Sequence, residues 1–302
     1  MKHFLTLNDC TKEEIISLLN TADQLKYEHK NNIPHKILDG KTLGMIFAKS
    51  STRTRVSFEV GMYDLGGMAL FLSSNDIQLG RGEPVNDTAR VLSGYLDGIM
   101  IRTFAQSDVE TLAEFGSIPI INGLTDYCHP CQVLADLMTI REFKGSIKGH
   151  KLCYIGDGNN MANSLIVGGI KMGMSVSIGC PDSHKPDAEI IEWATKNGDF
   201  TCTSDIYEAA KDADVLYTDV WASMGQESEA ERRKKIFAGY QINDSVMAVA
   251  KPDAMVLHCL PAHREEEITA KVFEEHAKEI FEEAENRLHA QKAVLVKLLG
   301  NK

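Results

Sequence analysis

A strand–helix alternation that runs once, stops and starts again constrains this chain more than any other feature. Short apolar runs bounded by turn residues fall at 42–47, 68–72, 98–101 and 118–122, with helical segments between them. A parallel strand pair needs a long crossover, usually a helix, so runs of this kind predict buried parallel strands. A helix expected over about 130–143 stops at Lys144-Gly145, where glycine suits the backbone reversal of a helix C-terminus. The alternation then resumes with strand signals at 151–155, 175–179, 215–217 and 254–258, and helices over about 161–172 and 186–197. Two βα series meeting near 140–150 predict an α/β protein of two doubly wound parallel-sheet domains linked by interdomain helices. Thr11 with Glu14 three residues on is a capping box and opens a first helix running to about Tyr27. The segment 75–86 is expected as loop, with Asp87 capping a helix to Tyr95, and a last helix spans about 272–299, long enough to return to the first domain.

Length agrees with the pattern, since 302 residues make about two domains at roughly 150 residues each. Acidic residues number 43 against 32 basic ones, a net charge of −11. Such a chain lacks the lysine and arginine excess that neutralises a nucleic-acid backbone, so nucleic acid is excluded as a general partner while one small anion is not. No stretch approaches the ~20 apolar residues of a membrane span. The N-terminus carries acids early and lacks the apolar centre of a signal peptide. Seven cysteines without a repeating spacing suit a reducing compartment, and the expectation is cytoplasmic.

Four stretches carry candidate chemistry. Ser51-Thr52-Arg53-Thr54-Arg55 falls between a strand and a helix start, where free N–H groups and the helix dipole attract an anion and hydroxyls and arginine add donors. The plainer reading is a serine cap beside solvated arginines, and the two weigh about evenly on this stretch alone. It is not the Walker pattern, so ATP hydrolysis is not suggested. His129-Pro130-Cys131-Gln132 sits at a strand end, where open parallel sheets bind ligands, although a lone histidine is more often structural. Cys128 and Cys131 form a C-x-x-C without the further ligands zinc needs. Gly156-Asp157-Gly158-Asn159-Asn160 has G-x-G after a strand but no third glycine, which weakens a dinucleotide reading and favours amides offered to a carboxylate. His258-Cys259-Leu260-Pro261 puts a thiol at another strand end. Arg232-Arg233-Lys234-Lys235 after Glu229 and Glu231 reads as a solvated helical face.

Taken together and in order, F-A-K-S-S-T-R-T-R-V-S-F-E, H-P-C-Q, D-V-W-A-S-M-G and H-C-L-P resemble the aspartate/ornithine carbamoyltransferase family across about 240 residues, the last two motifs its ornithine branch. The resemblance implies transfer of a carbamoyl group from carbamoyl phosphate to the side-chain amine of L-ornithine, with small-molecule substrates and no metal or organic cofactor. It also implies a homotrimer, or a multiple of trimers, with sites between subunits. Carried over by position, residues 1–147 with the C-terminal helix, about 286–302, would bind carbamoyl phosphate, and 148–285 ornithine. Ser51, Thr52, Arg53 and Thr54 resemble the phosphate cradle. Arg102, His129, Pro130, Cys131 and Gln132 resemble the holders of the carbamoyl group, with Arg287 returning from the last helix. Gln78 resembles a residue lent across the trimer interface. Asn160, Asp219, Ser223 and Met224 match positions that grip the amino-acid end of ornithine. Cys259 and Leu260 would lie beside the reacting groups, and Arg102, His129, Cys259 and Thr54 are the catalytic candidates.

The implied chemistry is orientation plus electrostatics. A neutral amine attacks, an oxyanion develops before fixed donors, and phosphate leaves. A closing second domain would keep water from the labile donor. Three rivals remain at this stage: the same transfer onto another amine such as putrescine, a nucleotide-dependent oxidoreductase built on the G-D-G-N-N turn, and a non-catalytic binding protein.

Overall fold

A computed structural model describes residues 1–222 and 229–300. The chain divides into two compact units, Met1–Met138 with Asn286–Lys302, and Thr139–Glu285.

The first unit holds helix α1 (Lys12–Lys30), strand β1 (Thr42–Phe47), α2 (Thr52–Asp64), β2 (Met68–Ser73), α3 (Val85–Ser93), β3 (Gly98–Arg102), α4 (Gln106–Phe115) and β4 (Ile120–Leu124). The strands form one parallel sheet in the order β2-β1-β3-β4. β1, β3 and β4 are buried along almost their whole length, which is why they read as unbroken apolar runs. Ile46, Ile99, Ile101 and Ile120 pack with Val109 and Leu112 of α4, each side chain contributing roughly 1.5–3 kcal/mol through burial. The capping box at Thr11 forms as the spacing predicted, and α1 continues to Lys30, three residues past the expected end.

The second unit holds β5 (Lys151–Ile155), α6 (Asn160–Met172), β6 (Ser175–Gly179), α7 (Ala188–Asn197), β7 (Phe200–Thr203), α8 (Ile206–Ala210), β8 (Val215–Thr218), α9 (Ala230–Phe237), α10 (Asp244–Met247), β9 (Met255–His258) and α11 (Ala270–Glu275). Its sheet is parallel throughout, in the order β7-β6-β5-β8-β9. Two longer helices, α5 (Pro130–Lys144) and α12 (Ala277–Leu299), contain the points at which the chain passes from one unit to the other.

Several boundaries differ from the sequence expectation. α3 starts at Val85 with Pro84 as its cap, so part of 75–86 is helical; Gln78–Arg81 adds a single 3-10 turn. Pro84 holds φ at −61°, ready for a helix start, which leaves Asp87 in the first turn instead of at the cap. β4 begins at Ile120 and not at Ile118, because Pro119 has no N–H and only its carbonyl joins the sheet edge, accepting from Ile99. The last helical stretch is two helices broken at His276 (φ −107°, ψ 13°), whose Nδ1 meets Glu279 Oε2 at 2.6 Å. Strand β7 was not anticipated; at four residues with polar alternates it carries little apolar signal.

Candidate active site

In each sheet the strand order reverses once, between β1 and β3 in the first unit and between β5 and β8 in the second. Connections leave opposite faces at such a switch point, which opens a crevice at the carboxyl ends of the strands. The motifs singled out from sequence follow the carboxyl ends of β1 and β4 in the first unit and of β5, β8 and β9 in the second.

In the first unit, the turn after β1 leads into α2. Ser51 is the N-cap, its Oγ accepting from Thr54 N–H at 3.2 Å, so the cap reading of this stretch holds. The anion reading is not displaced by it. Thr54 is wholly buried, and its Oγ1 accepts from Arg102 Nη1 at 3.4 Å and from Arg287 Nη2 at 3.2 Å, with Ser51 Oγ at 3.1 Å. Arg102 ends β3, and Arg287 comes from α12. Arg287 Nη1 also donates to Gln132 Oε1 at 2.7 Å, and Gln132 Nε2 donates to Asp136 Oδ1 at 2.9 Å. Thr52 is exposed and Arg53 half-buried at the start of α2.

His129 is buried among these groups. Burial first, then the charges of Arg287, Arg102 and Arg53, hold its pKa well below the usual histidine value, so the imidazole is neutral near pH 7. Arg102 and Arg287 meet at the Thr54 hydroxyl, and their charges with that of Arg53 all reach His129. Pro130 opens α5 and is buried. The Cys131 thiol donates inward to Asn122 O at 3.4 Å, leaving only its backbone for a ligand. Burial pushes the Cys128 and Cys131 thiols up to about 12, which removes the thiolate a redox C-x-x-C would need. Gln78 stands exposed on its 3-10 turn.

In the second unit, Gly156 has φ +141° and lets the chain leave β5 sharply. Asn159 caps α6, its Oδ1 accepting from Met161 N–H at 2.9 Å and Ala162 N–H at 3.3 Å, while its Nδ2 donates to Asp219 Oδ2 at 3.0 Å. Asp219, just past β8, accepts on Oδ1 from the Cys259 thiol at 3.1 Å and from Val220 N–H at 2.8 Å. Asn160 is half-buried at the first helical position. Leu260 takes φ +56° before a cis Pro261, and its N–H donates to His258 Nδ1 at 2.9 Å. His258 Nε2 in turn meets Glu267 Oε1 at 2.9 Å. Asp219, His258 and Cys259 bring ligand-type atoms within 4.8 Å of one another, but each is engaged as described, so a metal ion would have to displace these bonds. Ser223 and Met224 lie outside the described residues.

Three participants escaped sequence reading. Asp136 stands four residues after Gln132, one helical turn, a spacing that would have flagged it. Asn159, left out of the candidate set in favour of its neighbour Asn160, donates to Asp219. Arg233 corrects the solvated-face reading: it is 5% exposed, with Nε donating to Trp221 O and Nη2 paired with Asp157. Helical periodicity puts Arg233 and Phe237 on the inward side of α9, while Arg232, Lys234 and Lys235 stay exposed. Burial pushes the Asp157 carboxyl up to about 6 and the Asp219 charge adds to the rise, with Arg233 opposing both. Gly158 does not serve a dinucleotide here. A Cβ on it would lie 2.2 Å from Pro186 N and 2.3 Å from Lys185 C, so its bareness serves packing against that segment.

Comparison with known proteins places these features in context. Residues 2–142 match the family model "Aspartate/ornithine carbamoyltransferase, carbamoyl-P binding domain", and 148–298 match "Aspartate/ornithine carbamoyltransferase, Asp/Orn binding domain". The chain is 57% identical over 305 residues to an ornithine carbamoyltransferase of Oceanobacillus iheyensis, covering 99% of this chain and 95% of that protein. It is 54% identical over 304 residues to "Ornithine carbamoyltransferase, anabolic" of Pyrococcus furiosus, covering 99% and 96%. Among solved structures, ornithine carbamoyltransferase from Pyrococcus furiosus superposes with a TM-score of 0.95 at 53% identity, covering 100% and 98%. The anabolic enzyme from Campylobacter jejuni gives 0.93 at 48%, covering 99% of each.

Proposed function

This chain belongs to the aspartate/ornithine carbamoyltransferase family, and from that premise we infer that it transfers the carbamoyl group of carbamoyl phosphate to the side-chain amine of L-ornithine, releasing L-citrulline and phosphate. The observation that carries this reading is the meeting of Arg102 and Arg287 at the Thr54 hydroxyl, beside a neutral His129 that also feels the charge of Arg53. Fixed cations and donors around one small volume are what a phosphorylated carbonyl compound requires. The choice of ornithine over aspartate is supported by Asp219 and Cys259. The Asp219 carboxylate, with the Cys259 thiol donating to it, suits an amine, whereas a dicarboxylate would be repelled.

On this reading, residues 1–147 with 286–302 hold the donor and 148–285 the amino acid. Ser51, Thr52, Arg53 and Thr54 receive the phosphoryl oxygens at the α2 N-terminus. Arg102, His129 and Gln132 hold the carbamoyl carbonyl and amide, with Pro130 and Cys131 supplying backbone and Arg287 closing the ring of charge. Asn160, Asp219, Ser223 and Met224 hold ornithine, and Cys259 with Leu260 flanks the reacting groups. The δ-amine attacks as the free base, and the carbonyl becomes an oxyanion that Thr54, Arg102 and His129 stabilise. A neutral His129 donates a hydrogen bond without adding a fourth charge. Phosphate leaves with its charge already met by Arg53.

The assembly is a homotrimer or a multiple of trimers. Support comes from the first unit's edge strand β2, where Met68, Leu70 and Phe71 are exposed, beside exposed Val56, Val60 and Tyr63 of α2. An apolar edge strand of this kind needs a cover, and a second copy supplies one. On this reading Gln78 is lent to a neighbouring subunit, supported by its exposure shortly after β2. The compartment is the cytoplasm, supported by seven free thiols. Among the described residues no helix is long and apolar enough to cross a membrane.

The test is citrulline formation with carbamoyl phosphate and either ornithine or putrescine. Ornithine is expected to be the substrate, and Arg102→Ala or Arg53→Ala to lower kcat about 10²–10³-fold with the fold intact by circular dichroism. Near-normal turnover in either variant overturns the site assignment, and preferred turnover of putrescine overturns the substrate.

A further inference from the structure

We propose that Cys180 and Cys202 form a reversible dithiol–disulfide site whose oxidation displaces the turn carrying Asn159. Their Sγ atoms lie 3.8 Å apart. Cys202 is in β7 and pairs in register with Ile178 of β6, and Cys180 follows two positions beyond Ile178, so the pleat brings both side chains to one face. Cys180 is wholly buried, while Cys202 is half-buried and open to a small oxidant. The Cys180 thiol beside it brings the Cys202 thiol down to about 7, burial opposing and Lys185 assisting. The Cys180 thiol is held up by the same contact. One sulfur is thus the ready thiolate and the other the resolving thiol.

The oxidant class is a peroxide. Cys202 thiolate attacks a peroxide oxygen, the O–O bond breaks, and hydroxide leaves to become water as Cys202 becomes a sulfenic acid. The Cys180 sulfur then attacks the Cys202 sulfur, the S–O bond breaks, and the Cys180 proton departs with the oxygen as a second water. Two thiols lose two electrons and the peroxide gains them. A dithiol reductant reverses the step by exchange.

What such a bond would move is set by the neighbouring backbone. Disulfide formation brings the sulfurs from 3.8 Å to about 2.05 Å, and β7 is held in register along its length. Cys180 N–H still donates to Thr203 O of β7 at 3.1 Å, and the chain after it is not strand, so the displacement falls on 181–186. That segment lies flush against the G-D-G-N-N turn: Gly158 N–H donates to His184 O at 2.9 Å, and Asp187 N–H donates to Asn163 Oδ1 of α6 at 3.0 Å. A Cβ on Gly158 would be 2.6 Å from His184 O, so there is no slack to absorb a shift. The turn carries Asn159, whose amide holds Asp219.

The experiment uses the full chain treated with hydrogen peroxide, alkylated and mapped by mass spectrometry under non-reducing conditions, with hydrogen exchange followed over 156–163. One cross-linked peptide pair containing residues 180 and 202 is expected, reversed by dithiothreitol and absent in Cys202→Ser, with faster exchange over 156–163 in the oxidised form alone. A third readout rests on the proposed function: oxidation is expected to raise the ornithine KM about 5-fold with the carbamoyl phosphate KM within about 2-fold. Separate alkylation of both thiols after peroxide, Cys202 as sulfinic acid beside a free Cys180, or a disulfide with unchanged exchange over 156–163 overturns the proposal. Absence of citrulline in the reduced protein would instead overturn the function, while the peptide map and exchange still decide the dithiol.

Discussion

Thr54 Oγ1 sits among three donors, two guanidinium groups and the Ser51 hydroxyl. Arg287 in turn spends one nitrogen on Thr54 and another on Gln132, so one planar fork spans two side chains that sequence places 78 positions apart. Lysine carries the same charge as a single point and cannot make both bonds. Arg287→Lys is therefore expected to retain the fold and lose about 10–100-fold in kcat, measured as steady-state citrulline formation; wild-type kcat would show that charge alone suffices there. The residues of the S-T-R-T-R and H-P-C-Q stretches were legible because each motif sits at a strand-to-helix junction. Arg233 was not, because what distinguishes it is burial against partners on other segments, Trp221 and Asp157; Asp136, one turn after Gln132, was within reach of the spacing rule. A buried Arg233 and an exposed Arg232 look alike in a string of letters; only the helical phase set by Phe237 separates them.

At the level of elements, the alternation announced nearly every strand, yet nothing in it set their order. Pairing is non-local: β5 lies between β6 and β8, and β1 between β2 and β3, by contacts that no local run of residues encodes. The crevice in each sheet is a property of that order, so it became visible only with the sheets. The β5–α6 turn shows how tightly an element can hold a site. Gly158 is bare because the backbone of 184–186 occupies the space a side chain would take. Gly158→Ala forces backbone against backbone, where no rotamer change relieves it, and is expected to cost about 1–3 kcal/mol of stability and to shift Asn159 away from Asp219. Urea denaturation reads the first effect, and a severalfold rise in ornithine KM reads the second. A variant with unchanged stability and KM would show that this segment yields more easily than its contacts imply.

Across the whole molecule, the same desolvation that keeps His129 neutral gives the protein an acid-sensitive stability. His129 is held well below 6.5, and burial with the charges of Lys292 and Lys26 pushes His289 down to about 3. Below pH 6.5 the unfolded chain binds a proton at each of these histidines and the folded chain does not. Stability therefore falls as pH drops from 6.5, by about 1.4 kcal/mol per pH unit for each group. Asp157 works in the opposite sense. Its folded value of about 6 lies above the unfolded one near 4, so between those values the folded state holds the extra proton and gains stability as pH falls. His3 and His184 are also held below the usual histidine value, chiefly by burial, so the histidines outweigh Asp157 and acidification brings a net loss. Replacing His289 by phenylalanine removes one histidine from this balance and fills the same wholly buried space. Between pH 6.5 and 5 that variant is expected to lose about 2 kcal/mol less than the parent, whatever its absolute stability at neutral pH. Urea midpoints of both proteins at the two pH values decide it, and equal acid losses would show that His289 protonates freely in the folded chain.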